Sequence, residues 1–146
     1  MYLFPVALLT ACDRVAEEQY RHVISKAGAA EYLDRVDGNI LLTTGSRELH
    51  AFASVRDFAS RAYARVLPME DSLRACREAG LPPAHILAMQ GPFSRDFNAA
   101  LYDQLRIRTM VSKDSGQPGG VADKVLPALE RGIDVVMIER PKEDKR

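Results

Sequence analysis

Apolar residues along the chain fall into short continuous runs that alternate with longer runs of helical spacing. The short runs are rich in aliphatic residues and predict strands at residues 39–43, 62–67, 85–89, 108–112 and 133–138. Strands that alternate with helices are typical of a parallel sheet. The pattern therefore predicts one Rossmann-like α/β domain, with an open parallel sheet of about five strands and helices on both faces.

The helical runs have predicted buried faces. Two of these faces are Met69, Leu73 and Cys76 in one helix, and Phe97, Ala100, Leu101 and Leu105 in the next. Ser94 precedes the second helix, where its hydroxyl is well placed to cap the first turn. Pro127 falls inside the last predicted helix, where proline removes a backbone hydrogen bond and is expected to kink the chain.

Residues 1–38 have a less regular pattern. Helical spacing over residues 17–33 predicts a partly helical segment, and the apolar residues 1–12 favour a buried strand or a short helix. The end of that apolar run resembles a lipoprotein cleavage box, but no basic residue precedes the run and it is too short to cross a bilayer. We therefore expect the folded domain over residues 39–141, followed by a charged tail at residues 142–146.

Composition excludes several classes of function. The chain has 146 residues, of which 47% are hydrophobic, enough for one compact core. Its 20 basic residues balance 20 acidic ones, so no net charge attracts nucleic acid or an anionic membrane, and we expect neither as a partner. Cys12 and Cys76 form neither a disulfide framework nor a metal site by themselves, which favours a reducing cytoplasm.

Three predicted loops follow the carboxyl ends of strands, where open parallel sheets bind ligands. They are residues 44–46, 90–94 and 113–120, and each contains glycine before a predicted helix. Free backbone N–H groups and the helix dipole would suit a phosphate there, with Arg47, Lys113 and Lys124 adding charge. Turn geometry and N-capping require the same residues without any ligand, and neither GxGxxG nor GxxxxGK[ST] is present. Spacing alone leaves both interpretations open.

Arg65 lies inside a predicted strand, where a charged side chain needs a partner or a ligand. A nucleotide phosphate or a polycarboxylate would serve, and so would an internal salt bridge with Glu139. We find no Ser/His/Asp or Cys/His arrangement, so the sequence does not identify catalytic residues.

The residue identities in these segments point to a particular family, whereas their spacing alone does not. They are LLTTGSREL at 41–49, YARVLP at 63–68, AMQGPFS at 88–94, KDSG at 113–116 with Gly119 and Gly120, and IERP at 138–141. In this order they resemble the precorrin-6A reductase family, including its cobalt-precorrin-6A branch. The resemblance implies an oxidoreductase of cobalamin biosynthesis that transfers hydride from NADPH to a carbon of a tetrapyrrole, precorrin-6A or cobalt-precorrin-6A, giving the 6B form.

The resemblance, taken with loop position, also implies roles for individual residues. The residues expected to bind NADPH are Thr44, Gly45, Ser46, Arg47, Lys113, Ser115 and Gly116. The residues expected near the macrocycle are Arg65, Gln90, Gly91, Pro92 and Phe93, with Arg65 facing one of its carboxylates.

Enzymes of this family have two Rossmann-like halves with the site in the cleft between them, and this chain resembles the C-terminal half. Residues 1–38 show no likeness to the Gly-Gly-Thr strand–turn that opens the family's chains. The missing N-terminal half, or a second copy of the chain, is therefore expected to supply the other wall. The alternative is a non-catalytic domain that binds a nucleotide or a tetrapyrrole as a partner subunit. A phosphotransfer or hydrolytic enzyme ranks last, because no phosphate-loop lysine motif or nucleophile elbow is present.

Overall fold

Six parallel strands form one sheet in the computed structural model, which describes residues 20–113 and 118–138, with backbone alone at residues 20–24 and 118–121. The strands are β1 (Tyr20–Ile24), β2 (Asn39–Leu42), β3 (Ala62–Val66), β4 (Ile86–Ala88), β5 (Ile107–Lys113) and β6 (Asp134–Ile138). Their order is β1-β6-β5-β2-β3-β4, and every neighbouring pair is parallel. The predicted open parallel α/β sheet is confirmed, with β1 as an additional strand.

Strand β1 corrects the prediction of helix at its position. Its residues follow helical spacing, yet they pair in parallel with β6, Tyr20 opposite Val135 and Ile24 opposite Ile138. Pairing with a neighbouring strand outweighs a weak local helical pattern, particularly for β-branched and aromatic residues. Ser25 then starts the first helix by accepting a hydrogen bond from the Gly28 amide at 3.1 Å. The predictions for residues 1–12 and 142–146 lie outside the described residues.

Helices cover both faces of the sheet, as predicted. They are α1 (Lys26–Arg35), α2 (Phe58–Arg61), α3 (Glu70–Glu78), α4 (Arg95–Leu105) and α5 (Pro118–Glu130), with 3₁₀ helices at Ser46–Phe52 and Pro83–His85. Successive residues of a strand point to opposite faces, and in β2 both Leu41 and Leu42 are fully buried. Leu42 packs in the core beneath α1, α2, α3 and the first 3₁₀ helix, whereas Leu41 packs in the core beneath α4 and α5.

The prediction of the buried face of α3 is wrong for Met69. Met69 precedes the helix and is 58% exposed, whereas Cys76 is completely buried. Ser72, one turn before Cys76, is buried in place of Met69.

The buried face of α4 is rotated relative to the prediction. Phe97 is 42% exposed, and the buried residues are Asn98 and Tyr102. These polar side chains can be buried because both reach backbone carbonyls of α5, Asn98 Nδ2 at Asp123 O (3.0 Å) and the Tyr102 hydroxyl at Lys124 O (2.8 Å). The Ser94 cap is confirmed, since its Oγ accepts from the Phe97 amide at 3.1 Å. Polar contacts between helices thus decided which face of α4 is buried.

Arg61, at the end of α2, holds together the turn between α1 and β2. Its buried guanidinium donates to four backbone carbonyl oxygens, those of Leu33 (3.2 Å), Val36 (2.8 Å), Gly38 (3.0 Å) and Arg56 (2.9 Å). The last carbonyls of a helix have no partner within the helix, and Leu33 and Val36 lie at the end of α1. Arg61 therefore completes the C-terminus of α1 and fixes the entry to β2, a role that the sequence analysis did not predict.

Candidate functional site

The direction in which the chain adds successive strands to the sheet reverses between β2 and β5, although the two strands are parallel. From β2 the chain proceeds outward to β3 and β4, and then returns to β5 on the other side of β2. Open α/β sheets bind ligands at such a switch point, beyond the carboxyl ends of the two strands. Leu42 pairs with Val111, and both the amide and the hydroxyl of Thr43 donate to the Val111 carbonyl, at 2.9 and 3.0 Å. The predicted loop at residues 44–46 and Lys113 are therefore neighbours at this point.

Gly45 has a backbone conformation that other residues rarely adopt. Its φ of 93° and ψ of 163° lie in a region that is essentially restricted to glycine, and it leads directly into the first 3₁₀ helix. Among the described residues other than Gly45 and its two chain neighbours, no atom lies within 4 Å of the position that a Cβ would occupy. The glycine is required by the turn itself, and the turn leaves room for a ligand.

Replacing Gly45 by alanine is expected to lower the free energy of unfolding by about 1–3 kcal/mol, because the added Cβ strains the backbone without meeting another group. Urea unfolding of Gly45→Ala beside Ser46→Ala, a change in the same loop at an ordinary φ, measures this cost. Equal stability of the two variants would contradict the proposed strain.

Two buried hydroxyls flank the switch point. Thr44 follows β2 and Ser112 lies near the end of β5, and the two residues are 3% and 0% exposed. Within the described ranges neither hydroxyl oxygen has a hydrogen-bond partner. Buried polar atoms without a protein partner are uncommon and are frequently satisfied by a ligand or by water.

Lys113, the last residue of β5, forms an ion pair with Glu48. Glu48, on the first 3₁₀ helix, forms ion pairs with Lys26 at 2.7 Å and with Lys113 at 3.5 Å. Lys26 is the main cause that holds the pKa of the Glu48 carboxyl below its usual value, and Lys113 adds to it. Two ammonium groups around one carboxylate leave a net positive charge beside the switch point. The sequence analysis assigned Lys113 to a phosphate but missed Glu48, with which a phosphate would have to compete.

Of the other residues predicted to bind the cofactor, the structure describes Ser46 and Arg47. Arg47 is exposed on the same 3₁₀ helix as Glu48, and Ser46 is half-buried at its start. Ser115 and Gly116 lie outside the described residues. The structure thus brings together Thr44, Gly45, Ser46 and Lys113, while Arg47 lies at their outer edge.

Arg65 is buried on β3 and has neutral partners. Its Nη1 donates to Asn98 Oδ1 at 2.8 Å, and its Cζ lies 4.2 Å from the centre of the Phe93 ring. Burial lowers the pKa of the Arg65 guanidinium, an effect that the Tyr102 hydroxyl partly opposes. Arg65 and Phe93 are in contact, whereas Glu139, the salt-bridge partner considered from the sequence, lies outside the described residues.

Lys124, on α5, points toward the end of β2. Its Nζ lies 3.4 Å from Thr43 Oγ1. Burial, together with the charge of Arg65, lowers the pKa of Lys124 to about 8. The Tyr102 hydroxyl contacts the backbone carbonyl of Lys124 and the Arg65 guanidinium, and burial raises the pKa of this hydroxyl to about 12. The sequence suggested Lys124 as a charge for a phosphate but not its proximity to Arg65.

The loop after β4 lies beside Arg65 because β4 is the neighbour of β3. In it Gln90, Gly91 and Pro92 are exposed, the Gly91–Pro92 peptide bond is cis, and Phe93 is half-buried. Phe93 stacks on Phe97 of α4 with ring centres 5.3 Å apart. The described residues include three exposed large apolar side chains, and all three lie in segments at the carboxyl end of the sheet: Leu67, Met69 and Phe97.

Two further findings concern the described residues as a whole. They contain no group of three or more His, Cys, Asp or Glu side chains that could hold a metal ion. None of their helices is long and apolar enough to cross a membrane.

Comparison with known proteins identifies the family. The family model described as precorrin-6x reductase CbiJ/CobK matches residues 8–146. The chain belongs to this family. The resemblance found in the sequence is therefore confirmed. The match also extends over residues 8–38, where the sequence analysis found no likeness to the precorrin-6x reductases.

Curated relatives show how much of such a reductase is present. The cobalt-precorrin-6A reductase of Priestia megaterium is 45% identical over 116 residues, which are 78% of this chain and 46% of the relative. That of Salmonella typhimurium (strain LT2) is 42% identical over 118 residues, 80% of this chain and 44% of the relative. The precorrin-6A reductase of Rhodococcus erythropolis is 33% identical over 126 residues, 85% of this chain and 46% of the relative. The chain spans about half the length of the curated relatives it matches.

A solved structure shares the fold. The precorrin-6A reductase CobK aligns with a TM-score of 0.64 at 24% identity, over 84% of this chain and 47% of that chain. Similarity of this kind supports the arrangement of strands and helices described above.

Proposed function

We propose that this chain belongs to an NADPH-dependent reductase that converts precorrin-6A or cobalt-precorrin-6A to the 6B form in cobalamin biosynthesis. The observation that carries the proposal is the family match over residues 8–146, together with curated relatives that are named as these reductases. When bound, the dihydronicotinamide supplies a hydride, and saturation of one double bond of the macrocycle also takes up one proton. The protein's part is to bind, orient and shield the two reactants.

The switch point between β2 and β5 suits the nicotinamide nucleotide. Gly45 leaves open space above its backbone, and the Thr44 and Ser112 hydroxyls lack partners among the described residues. Lys113 and Lys26 leave a net positive charge beside them, which favours phosphate. We assign Thr44, Gly45, Ser46, Arg47, Lys113, Ser115 and Gly116 to NADPH.

The carboxyl ends of β3 and β4, next to the switch point, suit the macrocycle. A tetrapyrrole has broad apolar faces and several carboxylates at its rim. Phe93 and Phe97 present stacked rings, and Arg65 supplies a guanidinium behind them. We assign Arg65 and Phe93 to the substrate, together with the exposed residues of the same loop, Gln90, Gly91 and Pro92. Because β3 pairs with β2, the proposed substrate site lies next to the proposed cofactor site. Hydride transfer requires the two reactants to be this close.

A second wall is needed to exclude water from the reacting carbon. The chain spans about half the length of its relatives, so we propose that the N-terminal half of the enzyme, or a second copy of this chain, covers the carboxyl end of the sheet. The exposed side chains of Leu67 and Met69 would be buried by such a partner or by the macrocycle.

Calorimetric titration of the chain with NADPH tests the cofactor assignment. Lys113→Ala is expected to weaken binding about tenfold, or roughly 1.4 kcal/mol, because it removes a charge beside the phosphates. Arg74→Ala removes an exposed cation from α3 and serves as the matched control, which should bind like the wild type. Equal binding by both variants would overturn the role of Lys113.

Oxidation of NADPH in the presence of cobalt-precorrin-6A or precorrin-6A then tests the reaction. Substrate-dependent oxidation supports the reductase. NADPH binding without oxidation would favour the alternative, a nucleotide-binding subunit that needs its partner. If NADPH, NADH and ATP all fail to bind, the cofactor assignment to this half is wrong.

A further inference from the structure

Two cations lie close to each other on the face of the sheet beneath α4 and α5. Arg65 extends from β3 and Lys124 from α5. Leu42 pairs with Ala64, so Thr43 and Arg65 are the next residues along these two neighbouring strands, and Lys124 Nζ lies 3.4 Å from Thr43 Oγ1. The charge of Arg65 also contributes to the lowered pKa of Lys124. Their polar partners within the described residues are neutral: Asn98 Oδ1 for Arg65, and Thr43 Oγ1 for Lys124. By contrast, the described cations Lys26, Lys113 and Arg131 each contact a carboxylate.

A hydrogen-bond network holds the Arg65 guanidinium and the backbone of Lys124 in place. Asn98 donates through Nδ2 to Asp123 O, which turns its amide oxygen toward Arg65. The Tyr102 hydroxyl donates to Lys124 O and also stabilises the Arg65 guanidinium. The Phe93 ring supports the guanidinium from one side. The Arg65 guanidinium is thereby held between Asn98, Tyr102 and Phe93, while Lys124 Nζ contacts Thr43 Oγ1.

This arrangement is costly unless an anion is present. A buried charge with only neutral partners loses hydration that hydrogen bonds do not fully replace, and two like charges add repulsion. An anion bound between them would offset both costs. Arg65 uses Nη1 for Asn98, and its planar guanidinium has five N–H donors in all, so donors remain for a forked contact with an oxyanion.

The location is accessible from the proposed reaction site. Thr43 continues β2 at the switch point, and Phe93 belongs to the loop after β4. Thr43, Phe93 and Lys124 are all partly exposed, so a ligand at the carboxyl end of the sheet can reach the cations.

We propose that Arg65 and Lys124 form a single recessed receptor for one oxyanion, a carboxylate or a phosphate. Asn98 and the Tyr102 hydroxyl contact the Arg65 guanidinium, and Thr43 contacts the Lys124 ammonium. The receptor as such requires only an oxyanion. Its assignment to a carboxylate of the macrocycle or to a phosphate of the nucleotide rests on the proposed function.

Thermal unfolding of the full chain in sulfate tests the receptor without cofactor or substrate. Sulfate replaces chloride at constant ionic strength, and the wild type is expected to show a saturating rise in Tm above the gradual, non-specific effect of sulfate. Arg65→Met and Lys124→Met should each lose the saturating part. Arg95→Met, which removes an exposed cation from α4, should retain it. A saturating response that survives in both Arg65→Met and Lys124→Met would overturn the proposal, as would its absence from the wild type.

Competition identifies the source of the oxyanion. Tricarballylate, a small tricarboxylate, should displace sulfate if the receptor takes a substrate carboxylate, and adenosine 2′,5′-bisphosphate should displace it if the receptor takes a nucleotide phosphate. Displacement by neither would overturn the link to the reductase reaction. The two proposals fail separately: a chain that binds NADPH but shows no saturating sulfate effect lacks the receptor, and one that binds sulfate but not NADPH lacks the proposed cofactor site.

Discussion

Replacing Arg61 by lysine is expected to lower the free energy of unfolding by about 3 kcal/mol, although the charge is kept. The guanidinium bonds four carbonyl oxygens in different directions, at 2.8–3.2 Å. A lysine has one nitrogen with three donors and cannot reach four acceptors that surround a planar group. At least one of the four carbonyl oxygens would then lose its bond from residue 61, and leaving a buried carbonyl without a partner costs about 1–3 kcal/mol.

Urea unfolding followed by circular dichroism measures this change. Arg74→Lys is the matched control, because Arg74 is exposed on α3 and makes one contact, with Asp71, three residues earlier. Its stability should stay within about 0.5 kcal/mol of the wild type. If Arg61→Lys were as stable as Arg74→Lys, the interpretation of Arg61 as the support for the α1–β2 turn would be wrong.

Replacing Lys124 by methionine is expected to stabilise the protein at neutral pH by about 2 kcal/mol. Burial lowers the pKa of Lys124 from its ordinary value of 10.5 to about 8, so at pH 7 the folded state carries a charge that it disfavours. A shift of this size corresponds to about 3 kcal/mol at most, and partial exposure of the residue reduces the expected effect. Methionine has a similar length and keeps the apolar contacts of the side chain without the charge.

The same substitution should remove a pH dependence. Between about pH 8 and 10.5 the unfolded chain still holds the lysine proton while the folded chain has lost it, so wild-type stability rises with pH across this window. The difference between wild type and Lys124→Met should therefore shrink as the pH is raised from about 7 to 9.5. Arg95→Met, which removes an exposed cation from α4, is the control and should give no such convergence, because arginine stays charged throughout this range. A constant difference for Lys124→Met over this range would show that its ammonium is not buried as described.

Tyr102 limits the useful range of this experiment. Its raised pKa, about 12, means that the unfolded state loses the phenolic proton first, and wild-type stability then falls as the pH passes 10. Measurements below about pH 10 avoid the contribution of Tyr102. Burial also raises the pKa of the Cys76 thiol, but this affects wild type and Lys124→Met equally and cancels in their difference.

Local patterns predicted a large part of the fold. Strands β2 to β6 are short aliphatic runs bounded by polar or turn residues, and their hydrophobic pattern is set within each segment. The Ser94 cap involves an amide three residues away, so sequence alone was sufficient to find it. The loops at the switch point were also predictable, because parallel strands place their carboxyl ends at one edge whatever their order.

Tertiary structure decided the remainder, because the partners are distant along the chain. Strand β1 exists through pairing with β6, which outweighed the helical spacing of its own residues. The buried face of α4 follows from bonds between Asn98 or Tyr102 and α5, which no pattern within α4 contains.

The same distinction applies to the candidate site. Sequence alone identified Thr44, Gly45, Ser46 and Lys113 as residues of strand-end loops, and family resemblance supplied their expected chemistry. It did not reveal that Glu48 lies against Lys113 or that Lys124 reaches Thr43, 81 residues earlier in the chain. Local patterns determine elements because they depend on neighbouring residues, whereas the charge balance of a site depends on which elements the folded sheet brings together.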